Sequence, residues 1–215
     1  MEKPARIPLF PPDVVLLPSM PLPLHIFEPR YKLMIARCME QQREFGLVLA
    51  ANNTVASTGC TAEILRKIRE YPDGRMDILT EGRSPFHLAE MLSEEQYYEG
   101  IVEYLHDAPS LPDGPPDNPT GAQDESTLIE RFQQCYLLLF GQVWERNATP
   151  ENVALSYRMA GRLPIEMETK QKLLEMRAEA ERQALLLRWL EGLLPKLANR
   201  DRGRRIGGGN GHALN

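Results

Sequence analysis

The sequence predicts an α+β protein in which strands occupy the first half of the chain and helices the second half. In the first 108 residues the apolar runs are short and are separated by prolines, glycines and other turn residues, which is typical of strands. Residues 109–123 (PSLPDGPPDNPTGAQ) predict a linker because their composition cannot bury a core. From residue 124 to residue 198 the apolar residues recur at helical spacing. Strands followed by helices indicate the α+β class.

The first predicted strands are residues 7–10 and 14–17, and each of these runs is followed by a proline. Proline has no backbone N–H to donate, so such runs suit the edge or the rim of a sheet better than its centre. Residues 45–50 (FGLVLA) form a continuous apolar run and predict a buried strand.

A helix is predicted between these strands, beginning at Pro29 and ending near Gln42. Proline is favoured at the first helical position, where a backbone N–H has no helical partner in any case. The apolar stripe of this helix consists of Tyr31, Met34, Ile35 and Cys38.

A β-hairpin is predicted around Pro72-Asp73-Gly74, with strands at residues 58–68 and 75–80. In this turn Pro presets φ, Asp bonds its own backbone and Gly accepts a positive φ. Further strands at residues 85–90 and 98–105 complete a β-rich unit over residues 1–108 that contains one helix.

The second half predicts a helical bundle over residues 124–198. Ser126 is the expected N-cap of its first helix, residues 151–162 form the second, and Pro164 opens the third. Pro195 is expected to end the last helix, and residues 199–215, rich in Arg and Gly, are expected to be a flexible tail. The predicted buried face of the first helix is Leu128, Phe132, Cys135 and Leu139, and that of the last is Ala180, Ala184, Leu187, Leu190 and Leu194.

Composition narrows the function classes. The formal net charge of −5 argues against sequence-independent nucleic-acid binding, which needs a basic face. The three cysteines, Cys38, Cys60 and Cys135, form no C-x-x-C pair and are expected to be reduced and buried. Neither a secretory signal nor an apolar run long enough to span a bilayer occurs, so we expect a cytoplasmic protein without a membrane segment.

The sequence offers no catalytic residue, no metal site and no cofactor site. It contains no P-loop, no G-x-S-x-G elbow and no H-E-x-x-H motif. His25 and Glu28 are three residues apart, but Pro29 sets a helix start there, so Glu28 is expected at the helix N-terminus. His87 and His106 are isolated in strand patterns and are expected to be ordinary surface residues. A small-molecule hydrolase has no support beyond the possibility that partners meet in space.

One apolar stretch carries the binding hypothesis. A loop so rich in Met, Pro and Leu predicts either core packing or an exposed polypeptide-binding surface. The candidate binding residues are Met20, Leu22, Leu24, Ile26 and Phe27.

Several ordered motifs resemble the N-terminal substrate-binding domain of Lon-type proteases. The resemblance covers about residues 5–195. Its elements are residues 7–11 (IPLFP), 14–18 (VVLLP), 22–31 (LPLHIFEPRY), 45–49 (FGLVL), 59–64 (GCTAEI), 73–75 (DGR), 155–160 (LSYRMA), 163–164 (LP) and 170–175 (KQKLLE). A further G-x-R-F-like element, Gly82-Arg83 followed by Phe86, is interrupted by Ser84-Pro85.

This resemblance implies a PUA-like β pseudo-barrel followed by a C-terminal helical bundle. It also implies a non-catalytic binder of unfolded or damaged polypeptides, acting in protein quality control with a protease or a chaperone. The family's ATPase and Ser–Lys protease residues lie outside the matched region, so no catalytic residue is carried over. RNA binding is the alternative, since PUA-like barrels elsewhere bind RNA. Self-association through the apolar residues 185–190 is a further expectation.

Overall fold

The described residues form one six-stranded sheet and five helices, in agreement with the predicted α+β class. The computed structural model describes residues 6–51, 54–93, 96–108, 120–145 and 152–207. The strands are β1 Arg6–Phe10, β2 Pro21–Ile26, β3 Phe45–Ala51, β4 Thr54–Glu70, β5 Met76–Leu92 and β6 Glu99–Tyr104. The helices are α1 Pro29–Glu40, α2 Thr120–Phe140, α3 Leu155–Ala160, α4 Met167–Glu175 and α5 Glu179–Gly207.

The strand order is β2-β5-β4-β3-β1-β6, and β5 also pairs with β6. The pairings therefore form a closed ring through β1, β3, β4, β5 and β6, with β2 attached outside it to β5. Inside the ring a core cluster is formed by Ile7, Leu9, Phe86 and Val102. Glycine lets the strands approach this cluster closely: a Cβ at Gly59 would lie 2.5 Å from the Phe86 ring and 2.4 Å from the Leu47 carbonyl oxygen.

Several strand predictions need correction. β1 is not an edge strand, because it lies between β3 and β6. Pro8 is tolerated there since residues 6–8 register with β6, whereas only Leu9 and Phe10 register with β3. Residues 14–17 form no strand, although Val15, Leu16 and Leu17 are buried.

The predicted strands 75–80 and 85–90 are one strand, β5. Gly82 does not break it: this residue forms an isolated bridge with Pro18, and a Cβ there would lie 2.1 Å from the Leu17 carbonyl oxygen. The glycine is therefore required for a close backbone approach. The hairpin turn is confirmed, with Gly74 at φ 78° and its N–H donating to the Tyr71 carbonyl oxygen.

The predicted helix α1 and its apolar stripe are confirmed. The helix begins at Pro29, and its buried residues are Tyr31, Met34, Ile35 and Cys38.

The chain divides into two compact units, and the division differs from the predicted one. The first unit contains residues 1–108 and 149–177, and the second contains residues 109–148 and 178–215. Helices α3 and α4 therefore belong with the sheet and not with the predicted bundle 124–198. Hydrogen bonds join this segment to the residues of the sheet unit. The Gln171 side chain donates to the Thr58 carbonyl oxygen (3.1 Å), and the Ala108 N–H donates to the Arg177 carbonyl oxygen (2.8 Å).

The helix boundaries also differ from the predictions. Helix α2 begins at Thr120, six residues before the predicted N-cap Ser126, and most of the predicted linker, residues 109–119, lies outside the described residues. The second predicted helix, residues 151–162, is confined to α3, and the third begins at Met167 after its N-cap Glu166, rather than at Pro164.

Pro195 does not end the last helix, since α5 continues to Gly207 and covers part of the predicted tail. Pro195 and Glu191 are both exposed. Water can therefore hydrate the Glu191 carbonyl group that the proline leaves without a donor. The remainder of the predicted tail, residues 208–215, lies outside the described residues.

In the second unit, α2 packs on α5 around buried apolar side chains. Leu128, Phe132 and Cys135 are buried as predicted, but on α5 the buried positions are Arg182, Leu186 and Leu190, and Ala184 is exposed. Leu190 was predicted to be buried, whereas Arg182 and Leu186 were not, because the prediction treated the arginine as a surface residue. Among the described residues, no helix is both long enough and apolar enough to cross a membrane.

Candidate functional site

The apolar stretch that carries the binding hypothesis forms the edge strand β2 and not a loop. It runs antiparallel to β5, and directly paired residues share one face of a sheet. Leu22, Leu24 and Ile26 are paired with Thr80, Ile78 and Met76. These three partners on β5 are buried. The alternation of β2 therefore directs Leu22, Leu24 and Ile26 toward the protein interior.

The five candidate binding residues consequently separate into different environments. Ile26 is only 1% exposed and belongs to the core. Met20, Leu22 and Leu24 are half-buried, and Met20 packs beside Gly161, where an added Cβ would lie 3.0 Å from the Met20 Cβ atom. Phe27 is 58% exposed, so it is the candidate that presents a large apolar side chain to solvent.

The exposed Phe27 does not stand alone. Its ring stacks on that of His25, with centroids 6.0 Å apart, and the Tyr71 ring meets His25 edge-on at 5.9 Å. His25 Nδ1 lies 2.6 Å from Asp77 Oδ1, and the Tyr71 hydroxyl donates to Asp77 Oδ2 at 2.9 Å. We name this cluster of Phe27, His25, Tyr71 and Asp77 the tip surface, because it lies beside the β4–β5 turn.

The electrostatics of the tip surface combine aromatic and charged groups. The hydrogen bonds with His25 and Tyr71 hold the pKa of Asp77 below its usual value. The guanidinium groups of Arg69 and Arg75 lie 4.5 Å and 5.1 Å from the centroid of the Tyr71 ring, within cation–π range. An apolar ring beside fixed charged groups can contact both side chains and backbone groups of a polypeptide.

Sequence reasoning missed Tyr71 and Asp77, although one signal was present. Once the turn at residues 72–74 is assigned, Tyr71 and Asp77 must lie near each other at the base of that turn. The pairing of His25 with Asp77 was not accessible, because the register between β2 and β5 joins residues 52 positions apart.

The free edge of β2 is unsuited to pairing with another strand. Within the described residues β2 pairs only with β5, so its second edge faces no strand. Pro21 and Pro23 have no N–H to donate, and prolines on an edge strand prevent sheet extension. Contacts at this edge therefore depend on side chains such as Phe27.

The geometry gives no support for a metal site at His25 and Glu28. Glu28 is bound by Arg30, whose Nε donates to Glu28 Oε2 at 2.9 Å. Glu28 is the N-cap residue of α1, as expected, but its side chain makes no capping hydrogen bond. The part of the chain that the structure describes contains no group of three or more His, Cys, Asp or Glu side chains able to hold a metal ion.

Two open clefts lie elsewhere on the first unit. One cleft, of about 620 Å³, has aromatic and proline walls that include Phe10, Pro12, Tyr31 and Tyr98, with Arg30 beside both tyrosine rings. The other, of about 590 Å³, lies between the end of α1 and residues 63–66 of β4. Neither cleft includes a residue from the apolar stretch 20–27.

Comparison with known proteins decides the family. Residues 6–192 match the model of the ATP-dependent protease La (LON) substrate-binding domain. The chain belongs to this family. It is 26% identical to Lon protease 1 of Hydrogenovibrio crunogenus over 88% of its length, and 23% identical to Lon protease of Escherichia coli over 86%. In both cases it spans 24% of the relative's length.

Solved structures share the fold of this Lon-family chain. A Lon N-terminal domain protein from Xanthomonas campestris superposes with a TM-score of 0.62 at 24% identity, covering 86% of this chain and 98% of that one. The N-terminal domain of a Mycobacterium avium complex Lon protease gives 0.63 at 16% identity, with the same coverage. The predicted family is thereby confirmed, and the RNA-binding alternative is not favoured by these comparisons.

Proposed function

We propose that this chain is a non-catalytic polypeptide-binding protein that recognises unfolded or damaged clients in protein quality control. Membership of a substrate-binding domain family is the main support, and the exposed Phe27 on the tip surface supplies a contact point. An exposed aromatic side chain next to charged groups is typical of residues that dominate protein–protein contacts. The clients are expected in the cytoplasm, delivered to a separate protease or chaperone.

The architecture that accompanies this function is a PUA-like pseudo-barrel followed by a helical bundle. The closed ring of pairings through β5 and β6 supports the barrel, and the packing of α2 on α5 supports a helical unit. In this proposal the barrel holds β2 and the β4–β5 turn rigidly, so that the tip surface is formed before a client arrives.

The test of this function is fluorescence anisotropy of a labelled, permanently unfolded polypeptide titrated with the protein, with a folded control alongside. We expect saturable binding of the unfolded form only. Phe27→Asp is expected to weaken it about tenfold, because a contact residue of this kind contributes about 1.4 kcal/mol or more. Met167→Asp is the matched control, since Met167 is also an exposed large apolar residue (39%) of the same unit.

The two parts of the proposal have separate outcomes. If the Phe27→Asp and Met167→Asp proteins bound the unfolded polypeptide equally well, the tip surface would be ruled out as the binding site, but polypeptide binding itself would not be contradicted. Absence of any binding to the unfolded polypeptide would contradict the function itself, and the family membership would then describe the fold alone.

Self-association is also part of the proposal, through the second unit, but at the end of α2 and not at the predicted residues 185–190, of which Leu186 and Leu190 are buried. Leu137, Phe140 and Val143 are 50%, 48% and 69% exposed at the end of α2 and just after it, and such a group of apolar residues is typical of an interface. We expect a homo-oligomer in analytical ultracentrifugation that the double substitution Leu137→Ser and Phe140→Ser converts to a monomer. A monomeric unsubstituted protein would contradict this part.

A further inference from the structure

We infer that the outer half of β4 is a second interaction surface, which binds an acidic segment with apolar side chains from a partner polypeptide. The surface consists of the consecutive residues Leu65, Arg66, Lys67, Ile68 and Arg69, named here the β4 strip. It contains none of the four residues that define the tip surface, although it adjoins that surface through Arg69, which lies over the Tyr71 ring.

The β4 strip is open on one side. The register between β3 and β4 ends at the pair Phe45–Ala62, and beyond Ala62 the described part of β4 pairs only with β5. The strip therefore borders solvent and the cleft of about 590 Å³ beside α1, which Leu65 and Arg66 help to line.

Two irregularities in the β4–β5 register expose the apolar side chains of the strip. The register shifts between Ile64 and Arg66 and again between Lys67 and Arg69, which leaves Leu65 and Ile68 without a residue opposite them on β5. Such bulges redirect side chains. Leu65 and Ile68 are 43% and 48% exposed, so two large apolar side chains three positions apart on the strand are presented to solvent.

The positive charges of the strip favour a partner segment that is acidic. Arg66 and Arg69 pair with Leu79 and Asp77, so both guanidinium groups lie on the face of the sheet that carries His25. The carboxylates of that face are engaged: Arg83 binds both Glu63 and Glu81 at 2.5 Å, and Asp77 is held by His25. Lys67 is paired with Glu70 at 2.5 Å and Arg69 lies over the Tyr71 ring, whereas Arg66 has no ion-pair partner among the described residues. A cationic strip in a chain of net charge −5 is complementary to an acidic segment.

The manner of binding follows from the same features. Bulges and basic side chains on an edge oppose the addition of another strand, so the contacts are made by side chains and not by a new backbone ladder. The neighbouring cleft contains both signs of charge, with Arg43 and Glu44 on its wall. It therefore adds apolar contacts with Met39, Ile64 and Leu65, whereas Arg66 and Arg69 provide the charge selection.

The test uses the full-length protein and two short fluorescent peptides, one alternating Glu with Leu and the other alternating Lys with Leu. We expect the Glu peptide to bind saturably, with affinity that falls as salt is added, and the Lys peptide not to bind. Arg66→Glu is expected to weaken binding of the Glu peptide about fivefold or more, since it replaces an attraction with a repulsion.

Matched control variants distinguish an effect of the strip on peptide binding from an effect of the overall charge or apolar surface of the protein. Lys172→Glu on α4 changes the net charge equally at an exposed position. Leu65→Ser is also expected to weaken binding of the Glu peptide, and Val55→Ser is its control, because the two side chains lie on the same strand and are 42% and 43% exposed. We expect the two control variants to retain full affinity, and each variant's folding is checked by circular dichroism.

Three results would overturn the inference. The first is equal affinity for the Glu and Lys peptides, and the second is an equal loss of Glu-peptide affinity in Arg66→Glu and Lys172→Glu. The third is a loss of Glu-peptide binding in Phe27→Asp but in none of the strip variants. The first two results leave binding of the unfolded polypeptide at the tip surface untouched, whereas the third would place the Glu peptide on that surface. Conversely, the Glu peptide can bind at the strip even if no unfolded client binds.

Discussion

Gly82 shows how a single residue fixes the approach of two segments of the first unit. An added Cβ would lie 2.1 Å from the Leu17 carbonyl oxygen and 3.1 Å from the Leu16 side chain, and the nearer contact is with backbone that cannot rotate away. We expect Gly82→Ala to lower the free energy of unfolding by about 1–3 kcal/mol, the usual cost of overpacking. Urea denaturation measures it. Gly192→Ala is the control, because an added Cβ there meets nothing within 4 Å, and an equal loss in both variants would refute the assignment.

The burial of the three cysteines leads to a prediction about the reactivity of their thiols. Cys38, Cys60 and Cys135 are all buried, and burial raises the pKa of the Cys38 thiol to about 11. Because the thiolate is the reactive form, we expect none of the three to react with iodoacetamide at pH 8 in the folded protein and all three to react in denaturant. Mass spectrometry counts the modified residues. Rapid modification of the folded protein would contradict the burial.

The sequence predicted single residues well wherever local spacing determines burial. The stripe Tyr31, Met34, Ile35 and Cys38 of α1 was recovered because helical periodicity is a property of neighbouring residues. Ile26 and Phe27 were placed in the same candidate site, although one is buried and the other exposed. Their difference depends on the pairing of β2 with β5, and no local pattern specifies that register.

Strand β2 is held to β5 by a side-chain contact whose strength depends on pH. The pKa of Asp77 is lowered by its hydrogen bonds with His25 and Tyr71, so the folded state binds the proton more weakly than the unfolded state does. Such a carboxylate stabilises the fold above its usual pKa of about 3.8, and this contribution is lost as the pH falls through the lower folded value.

The corresponding variant is Asp77→Asn. We expect it to be less stable than the unsubstituted protein at pH 7 and the difference to shrink as the pH falls below about 3.8. Free energies of unfolding measured from pH 2 to pH 7 test this. Glu90→Gln is the control, because Glu90 is an exposed carboxylate on the same strand. A difference that stays constant over the whole pH range would show that Asp77 acts through packing instead.

Helix α5 contains an ion pair between the buried Arg182 and the partly exposed Glu179. The Arg182 side chain is completely buried, and its Nη2 donates to Glu179 Oε2 at 2.8 Å, one helical turn away. We expect Glu179→Ala to lower the free energy of unfolding by about 1–3 kcal/mol, because it removes a carboxylate that is paired with the buried Arg182 guanidinium group. Thermal denaturation measures the effect. Glu181→Ala, an exposed neighbour on the same helix, is the control, and equal losses would contradict the role of the pair.

At the scale of the element, the errors of sequence prediction have common physical causes. Gly82 and Pro195 are residues that usually end strands and helices, yet β5 and α5 continue through them. In the first case a close backbone approach requires glycine, and in the second an exposed carbonyl can be hydrated. Both reasons lie in the surroundings of the element and not in its own sequence, so local propensity could not reveal them.

The molecule as a whole is assembled from segments that are not consecutive. The sequence suggested a boundary at residue 108, because the linker composition there is unmistakable. It could not show that the chain returns to the sheet after residue 148, since that return depends on contacts between distant residues such as Gln171 and Thr58. Family resemblance recovered the fold class and the family, but the order of helices along the chain did not indicate which unit each helix joins.

This organisation predicts that residues 1–108 do not fold alone. The segment after residue 148 contributes large buried side chains to the first unit, namely Leu155, Tyr157, Met159, Leu163, Ile165, Leu173 and Leu174. At about 1.5–3 kcal/mol for each, their combined contribution of roughly 10–20 kcal/mol is as large as the total stability of about 5–15 kcal/mol that is typical of a domain. We therefore expect a fragment of residues 1–177 to unfold cooperatively in urea and a fragment of residues 1–108 to show no transition. Cooperative unfolding of the shorter fragment would instead favour the boundary that the sequence predicted, with α3 and α4 as dispensable additions to an independent barrel.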